Sequence, residues 1–372
     1  MTQPNWGLSP VPFIPGQELN RRFYAEAVAP LLAQFFPGLP HTAGLIGYGS
    51  DVLGFDTPMS RDHMWGPRLV LLLPEADFDA HRAAVDAALR QHLPLTFCGY
   101  PTHFGPSDEA GVRLLQFIEQ GPVDHLVALN TLPGFLQAEL GLTPGEPLTE
   151  TRWLTFPEQK LLAVTAGAVY HDDLGLEGAR QSLAYYPDEV WRYLLACQWT
   201  RISQEEAFVG RTGDLGDDLG SRVITARLVQ DLMRLAFLQA RRYAPYAKWF
   251  GTAFAQLPLA EALLPDLQAA LAADNWPARE AALCAAARQL AEQHNALGLT
   301  PPLDTQPRSF HGRPFTILDA GRFASALQAT LQPDGLRSLP PFGSVNQFCS
   351  STDVLEAPAA CATLGGLFKI TT

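Results

Sequence analysis

The sequence predicts an α+β chain: a sheet with flanking helices in the first half, followed by a mainly helical second half. Three observations carry that prediction. Short apolar runs at residues 43–47 and 69–73, bounded by turn residues, read as buried strands. Apolar residues at helical spacing lie on either side of them. From about residue 176 the texture changes to long stretches rich in alanine and leucine, which sets a boundary near Leu174 and Gly175 and two domains, 1–175 and 176–372. The 372 residues, 47% of them hydrophobic, suffice for two cores.

Leu19, Phe23, Ala27, Leu31 and Phe35 recur at helical spacing and predict a first helix, which Pro37 and Pro40 end. After the strand at 69–73, Phe78, Val85, Ala88 and Leu89 mark one face of a second helix. Residues 93–98, 113–118 and 124–131 read as further strands. Pro157 and Glu158 open a short helix that Gly167 stops, and residues 168–172 form the last strand. In the second half, Ser221 after Gly220 is a good N-cap for a helix carrying Val223, Ile224, Leu228, Leu232, Leu235 and Leu238. Residues 212–220 form a loop by their glycines, and Asp217 and Asp218 suit the start of that helix. His294 closes a helix at 278–293, where a histidine is electrostatically favoured.

Composition excludes several classes. A formal charge of −12 argues against a surface that tracks nucleic-acid phosphates, and it suits a cationic small molecule better. The five cysteines are widely spaced without a Cys-x-x-Cys pair, so neither a structural zinc site nor a disulfide framework is expected. No apolar run approaches the roughly 18–20 residues of a membrane span, and the start of the chain lacks the basic and apolar regions of a signal peptide. The chain therefore reads as cytoplasmic. No Walker loop or His-Glu-x-x-His motif occurs, and lone histidines such as His41, His92 and His311 assemble no triad from sequence.

The chemistry concentrates at Gly47-Tyr48-Gly49-Ser50, followed twelve residues later by Asp62. Gly49 lets the backbone approach a phosphate, Ser50 adds a hydroxyl, and a following helical turn would aim amide hydrogens at the anion. Asp62 is placed to hold magnesium between protein and phosphate, with His63 beside it and Arg68 as a further helper.

Gly49-Ser50, the run Pro58-Met59-Ser60 and Asp62 ahead of an apolar strand resemble the polymerase-beta-type nucleotidyltransferase superfamily. A closer resemblance spans nearly the whole chain. Ser60-Arg61-Asp62-His63, Trp65-Gly66-Pro67-Arg68, Tyr185-Tyr186-Pro187 and the run from Tyr243 to Phe250 are similar to a bacterial family of unassigned function grouped with those enzymes. The resemblance implies a nucleotidyltransferase-like mixed sheet. It implies a catalytic, magnesium-holding Asp62 and a nucleoside triphosphate bound by Gly49, Ser50, Arg68 and Lys248. In the aminoglycoside-type branch a lysine returns from a helical domain to the triphosphate, and Lys248 stands in the matching place. A strand with a terminal acid closes the nucleotide cleft in the superfamily, which implies that His171 and Asp172 lie near it.

The chain departs from the superfamily at two acids. The second carboxylate of Asp-x-Asp falls on Met64, a poor ligand for a hard cation, and the counterpart of the third acid is Asn130. Asp51, Asp56, Asp172 and Asp173 are the substitutes on offer, with Asp51 and Asp56 suited to turns. Two readings follow. One is an enzyme moving a nucleoside monophosphate from a magnesium-bound triphosphate to a hydroxyl of a small acceptor. The other is a catalytically degenerate nucleotide- or ligand-binding module.

Overall fold

The computed structural model describes residues 12–107 and 111–369. The chain forms two compact units: Met1–Glu146 with Lys160–Ala184, and Pro147–Gln159 with Tyr185–Thr372. Sequence texture suggests a division at 175/176, whereas the first unit runs on to Ala184. The short helix Leu176–Ser182 stays with it because its N-terminal amides are hydrogen-bonded to Asp172, and Arg180 reaches back to the Thr165 carbonyl at 2.8 Å.

In the first unit, α1 (Gly16–Phe23) continues through a π turn at Tyr24–Val28 into Ala29–Phe35. Pro30 has no N–H to offer the carbonyl four residues back, and a wider turn accommodates that loss. The turn also rotates the helix face. Val28 and Leu32 are buried where a regular helix would bury Leu31 and Phe35, and Phe35 is left 38% exposed. There follow β1 (Thr42–Leu45), β2 (Arg68–Leu72), α2 (Phe78–His92), β3 (Leu126–Asn130), α3 (Glu158–Thr165) and β4 (Ala168–Asp172).

The four strands make a mixed sheet in the order β3-β2-β1-β4, with β2 and β3 parallel and the other pairs antiparallel. Leu19, Phe23, Leu69, Leu71, Val85, Leu89 and Val127 form one core between α1, α2 and the sheet. Residues 93–98 and 113–118 do not join that sheet. Thr96–Phe97 pairs with Tyr100–Pro101 in a tight hairpin, and Arg113–Leu115 pairs with Phe104–Pro106. Cys98 and Gly99 both take positive φ, the geometry a two-residue hairpin turn requires, and this reverses the chain after two residues.

The second unit is helical: α4 (Asp188–Glu205), α5 (Asp218–Gln239), α6 (Ala247–Phe254), α7 (Ala260–Ala272), α8 (Trp276–Leu297) and α9 (Gly321–Ala329). α4 packs on α5 and α9, and α8 on α5 and α7. α5 is capped four residues before the expected Ser221, because Asp217 accepts the Gly220 N–H at 2.8 Å. Ser221 is buried inside the helix and donates to the Val209 carbonyl. His294 also has a different role from the expected one. It is enclosed by Trp199 and Phe323, and burial pushes its pKa down to about 4.

The architecture is therefore the expected α+β one, a small mixed sheet with flanking helices followed by a helical unit. All five cysteines are free thiols. Among the described residues no helix is long and apolar enough to cross a membrane.

Candidate functional site

β1 runs out into the bend at Gly47–Ser50, which is anchored by the Gly47 N–H donating to the Ala163 carbonyl of α3 at 2.8 Å. Beyond it the chain makes irregular turns, with Leu53 N–H bonded to Gly49 O and Phe55 N–H to Ser50 O. Under the bend lies a buried ion pair. Arg68, the first residue of β2, donates from Nε to Asp51 Oδ2 at 2.9 Å and from Nη2 to Asp51 Oδ1 at 2.6 Å. The same Nη2 donates to the Tyr48 carbonyl at 2.7 Å, and the Tyr48 ring lies 5.4 Å from the guanidinium.

Asp51 is 2% exposed and Arg68 8%. Burial alone disfavours the guanidinium charge, but the Asp51 carboxylate more than offsets this and raises the Arg68 pKa. Arg68 is thus committed to shaping the bend. Gly49 has φ +129°, and a Cβ there would collide with both Asp51 Oδ1 and Arg68 Nη2. Its lack of a side chain is what allows the ion pair to sit directly beneath the backbone.

The segment carrying Asp62 is a 3-10 turn, Pro58–Asp62, capped by Thr57 and Ser60. Asp62 is half exposed, and among the described residues its ion-pair partner is His63, Oδ1 to Nδ1 at 3.2 Å. Met64 is the residue that meets the bend: it takes φ +44°, and its Sδ receives the Tyr48 hydroxyl at 3.2 Å. The position that the sequence resemblance sets against a second acid therefore contacts Tyr48 of the bend through a thioether. The neighbouring Arg61 is held over Tyr100, Trp65 and Phe13.

The other acids are engaged within the fold. Asp56 Oδ2 accepts the Gly16 N–H at 2.7 Å and the Trp65 indole N–H at 2.9 Å. Asp172 accepts from the Thr42 hydroxyl and from the amides of Gly175, Leu176 and Glu177. Partial burial raises its pKa, but these hydrogen bonds outweigh that and hold the carboxyl below its ordinary value.

Sheet register corrects the expectation that Asp172 and Asn130 gather at the bend. Leu45 pairs with Ala168 and Arg68 with Leu126, whereas Thr42 pairs with Asp172 and Leu72 with Asn130. Asn130 and Asp172 thus end their strands at the opposite edge of the sheet, four residues from the strand ends nearer the bend, or roughly 13 Å at about 3.3 Å per residue. Asn130 Oδ1 there accepts the Thr131 N–H.

Lys248 belongs to the second unit, exposed in the first turn of α6, with its ammonium 5.1 Å from the Trp249 ring centre. That unit also holds a small pocket lined by Ile202, Glu206, Leu228, Glu280, Cys284 and Leu318. Glu206 accepts the N–H groups of Leu318, Asp319 and Ala320 ahead of α9, and burial pushes its pKa up to about 7. None of the candidate site residues named from sequence lines that pocket.

Sequence reasoning overlooked the Asp51–Arg68 pairing and the Tyr48–Met64 contact. A signal for the first was available: a charge at the head of an otherwise apolar buried strand needs a partner.

Residues 153–250 match the model of a domain of unknown function, DUF4037. The chain is also similar in structure to a nucleotidyltransferase-like protein from Exiguobacterium sibiricum. That likeness has 11% sequence identity and a TM-score of 0.31 over 84% of this chain and 89% of the other. No curated protein matches the chain.

Proposed function

We propose that the sheet-bearing unit is a nucleotide-binding module, which receives the phosphates of a magnesium-bound nucleoside triphosphate at the Gly49–Ser50 bend. The observation that carries this reading is the division of labour among its acids. Asp51 and Asp56 are used to build the bend and its surroundings, while Asp62, twelve residues further on, is left half exposed. Among the described residues the Ser50 hydroxyl has no hydrogen-bond partner and is open to a phosphate oxygen.

One carboxylate fits one magnesium ion, which is commonly held by one or two carboxylates plus phosphates and water. When bound with the nucleotide, such an ion would neutralise phosphate charge, with Asp62 as its protein ligand. A two-metal centre does not fit: Met64 supplies sulfur, and Asn130 and Asp172 stand at the far edge of the sheet. Gly49 keeps the backbone open to the phosphates, Arg68 holds the bend in shape from below, and Lys248 is offered to the triphosphate by the resemblance alone.

The second reading is transfer of the nucleoside monophosphate to a hydroxyl of a small, cationic acceptor. It is favoured by the exposure of Asp62 and by the net charge of −12. Calorimetric titration of the full chain with each triphosphate and magnesium tests both readings when paired with a pyrophosphate-release assay in a metabolite extract. Binding that Ser50→Ala and Asp62→Asn weaken at least tenfold, without pyrophosphate, supports the module. Pyrophosphate release supports the enzyme, and no binding of any triphosphate overturns both.

A further inference from the structure

At the edge of the sheet opposite the bend, β1 and β4 bring two histidines and an aspartate together. His41 stands just before β1 and Asp173 just after β4. They are directly paired: the Asp173 N–H donates to the His41 carbonyl at 3.0 Å, and the His41 N–H to Asp173 Oδ2 at 3.3 Å. His171, two residues back on β4, shares that face. Its Nε2 lies 2.7 Å from Asp173 Oδ2, and its ring stacks on that of His41 with centroids 4.3 Å apart. One ligand atom from each of the three residues lies within 4.8 Å of the others.

We propose that His41, His171 and Asp173 form a binding site for a divalent transition-metal ion of the zinc type. A surface His–Asp pair alone is an ordinary salt bridge of small worth. The second imidazole makes the difference, because two nitrogen donors and a carboxylate form a ligand set suited to zinc, cobalt or nickel and ill suited to magnesium.

The surroundings of His41 orient it for this role. Its Nδ1 is 3.1 Å from the Leu39 carbonyl. A carbonyl only accepts, so Nδ1 carries the proton and Nε2 keeps the lone pair. That is the arrangement seen in metal-bound histidines, whose second nitrogen donates to a carbonyl or carboxylate. The Tyr24 hydroxyl, 2.9 Å from Nε2, occupies the lone pair and would give way to an ion.

Paired strand ends supply a rigid base for the three ligands. Donors around an ion at about 2.0–2.1 Å stand roughly 3.3 Å apart, within reach of small side-chain rotations from the spacing observed. Three protein ligands leave a coordination position open to water. The site shares no residue with the bend, so its fate is independent of the nucleotide reading.

The test uses the full chain, tag removed and stripped with chelator, titrated with Zn²⁺ by calorimetry and with Co²⁺ by visible absorption. One ion per chain is expected, undisplaced by millimolar Mg²⁺. His41→Gln, His171→Gln and Asp173→Asn should each weaken binding at least tenfold, and His311→Gln should leave it unchanged. Circular dichroism checks the fold of each variant. If His41→Gln fails to fold, the partly exposed His171 and Asp173 decide the outcome. Absence of stoichiometric binding, or variants at these two positions that bind like the parent, overturns the proposal.

Discussion

Arg68 grips Asp51 through two hydrogen bonds, at 2.6 and 2.9 Å, in a position almost closed to solvent. The pair spans seventeen residues, tying the first residue of β2 to the turn that follows β1. Removing one partner leaves the other charge buried and uncompensated. Arg68→Met should therefore destabilise the chain by about 3–5 kcal/mol, and Asp51→Leu combined with Arg68→Met should recover much of the loss. Urea melts of the single and double variants measure this. A single variant as stable as the parent would show that the pair is not what holds the bend.

Gly49→Ala tests the same joint from the backbone side. A Cβ at φ +129° meets both members of the ion pair, so the side chain and its neighbours compete for one space. Backbone strain alone should cost about 1–3 kcal/mol. Displacement of the pair should add to it, and nucleotide affinity should fall in parallel. An alanine variant with parental stability and affinity is the contrary result.

Met64→Asp places a carboxylate at the position that contacts Tyr48 of the bend. Aspartate tolerates positive φ better than most residues, so φ +44° is no obstacle to it. The variant should gain magnesium-dependent nucleotide affinity of tenfold or more, at the loss of the Tyr48–Met64 contact. Unchanged affinity in titrations with and without magnesium would count against the placement of the nucleotide.

Glu206 and His294 set opposing pH dependences in the helical unit. The folded-state pKa of Glu206 is raised from 4.5 to about 7, so its contribution to stability is full below pH 4.5 and is lost as pH rises to about 7. That of His294 is depressed from 6.5 to about 4, so its contribution is full above pH 6.5 and is lost as pH falls to about 4. Each shift corresponds to about 3 kcal/mol, and the two slopes nearly cancel between pH 4.5 and 6.5. Glu206→Gln removes one of them. Its stability should climb with pH across that window by up to about 3 kcal/mol relative to the parent, as read from denaturant melts at successive pH values. Parallel curves for the two proteins would rule out the raised pKa.

Much of the fold was legible because periodicity is local. The apolar runs read at residues 43–47 and 69–73 became the central strands Thr42–Leu45 and Arg68–Leu72, and Val85 and Leu89 became the buried face of α2. The exceptions have local causes that pattern alone hides. Pro30 follows a π turn that rotates the face of the first helix, and Asp217 caps α5 four residues early. The site was legible as a list of residue types, but its pairings were not. Asp51 read as a turn residue, and it is in fact the counter-ion of Arg68.

By itself, the sequence determined where the two central strands and the helix α2 form, that a glycine and serine follow the first strand, and that an aspartate stands twelve residues beyond. Tertiary structure alone decided which acids are consumed and which remain exposed. It buried Asp51 against Arg68, spent Asp172 on a helix start, and set Asn130 at the far edge of the sheet. It also joined His41 to Asp173 across 132 residues. The physical reason is range: a charged group's state depends on what other segments bring to it, and register between strands distant in sequence carries no local signature.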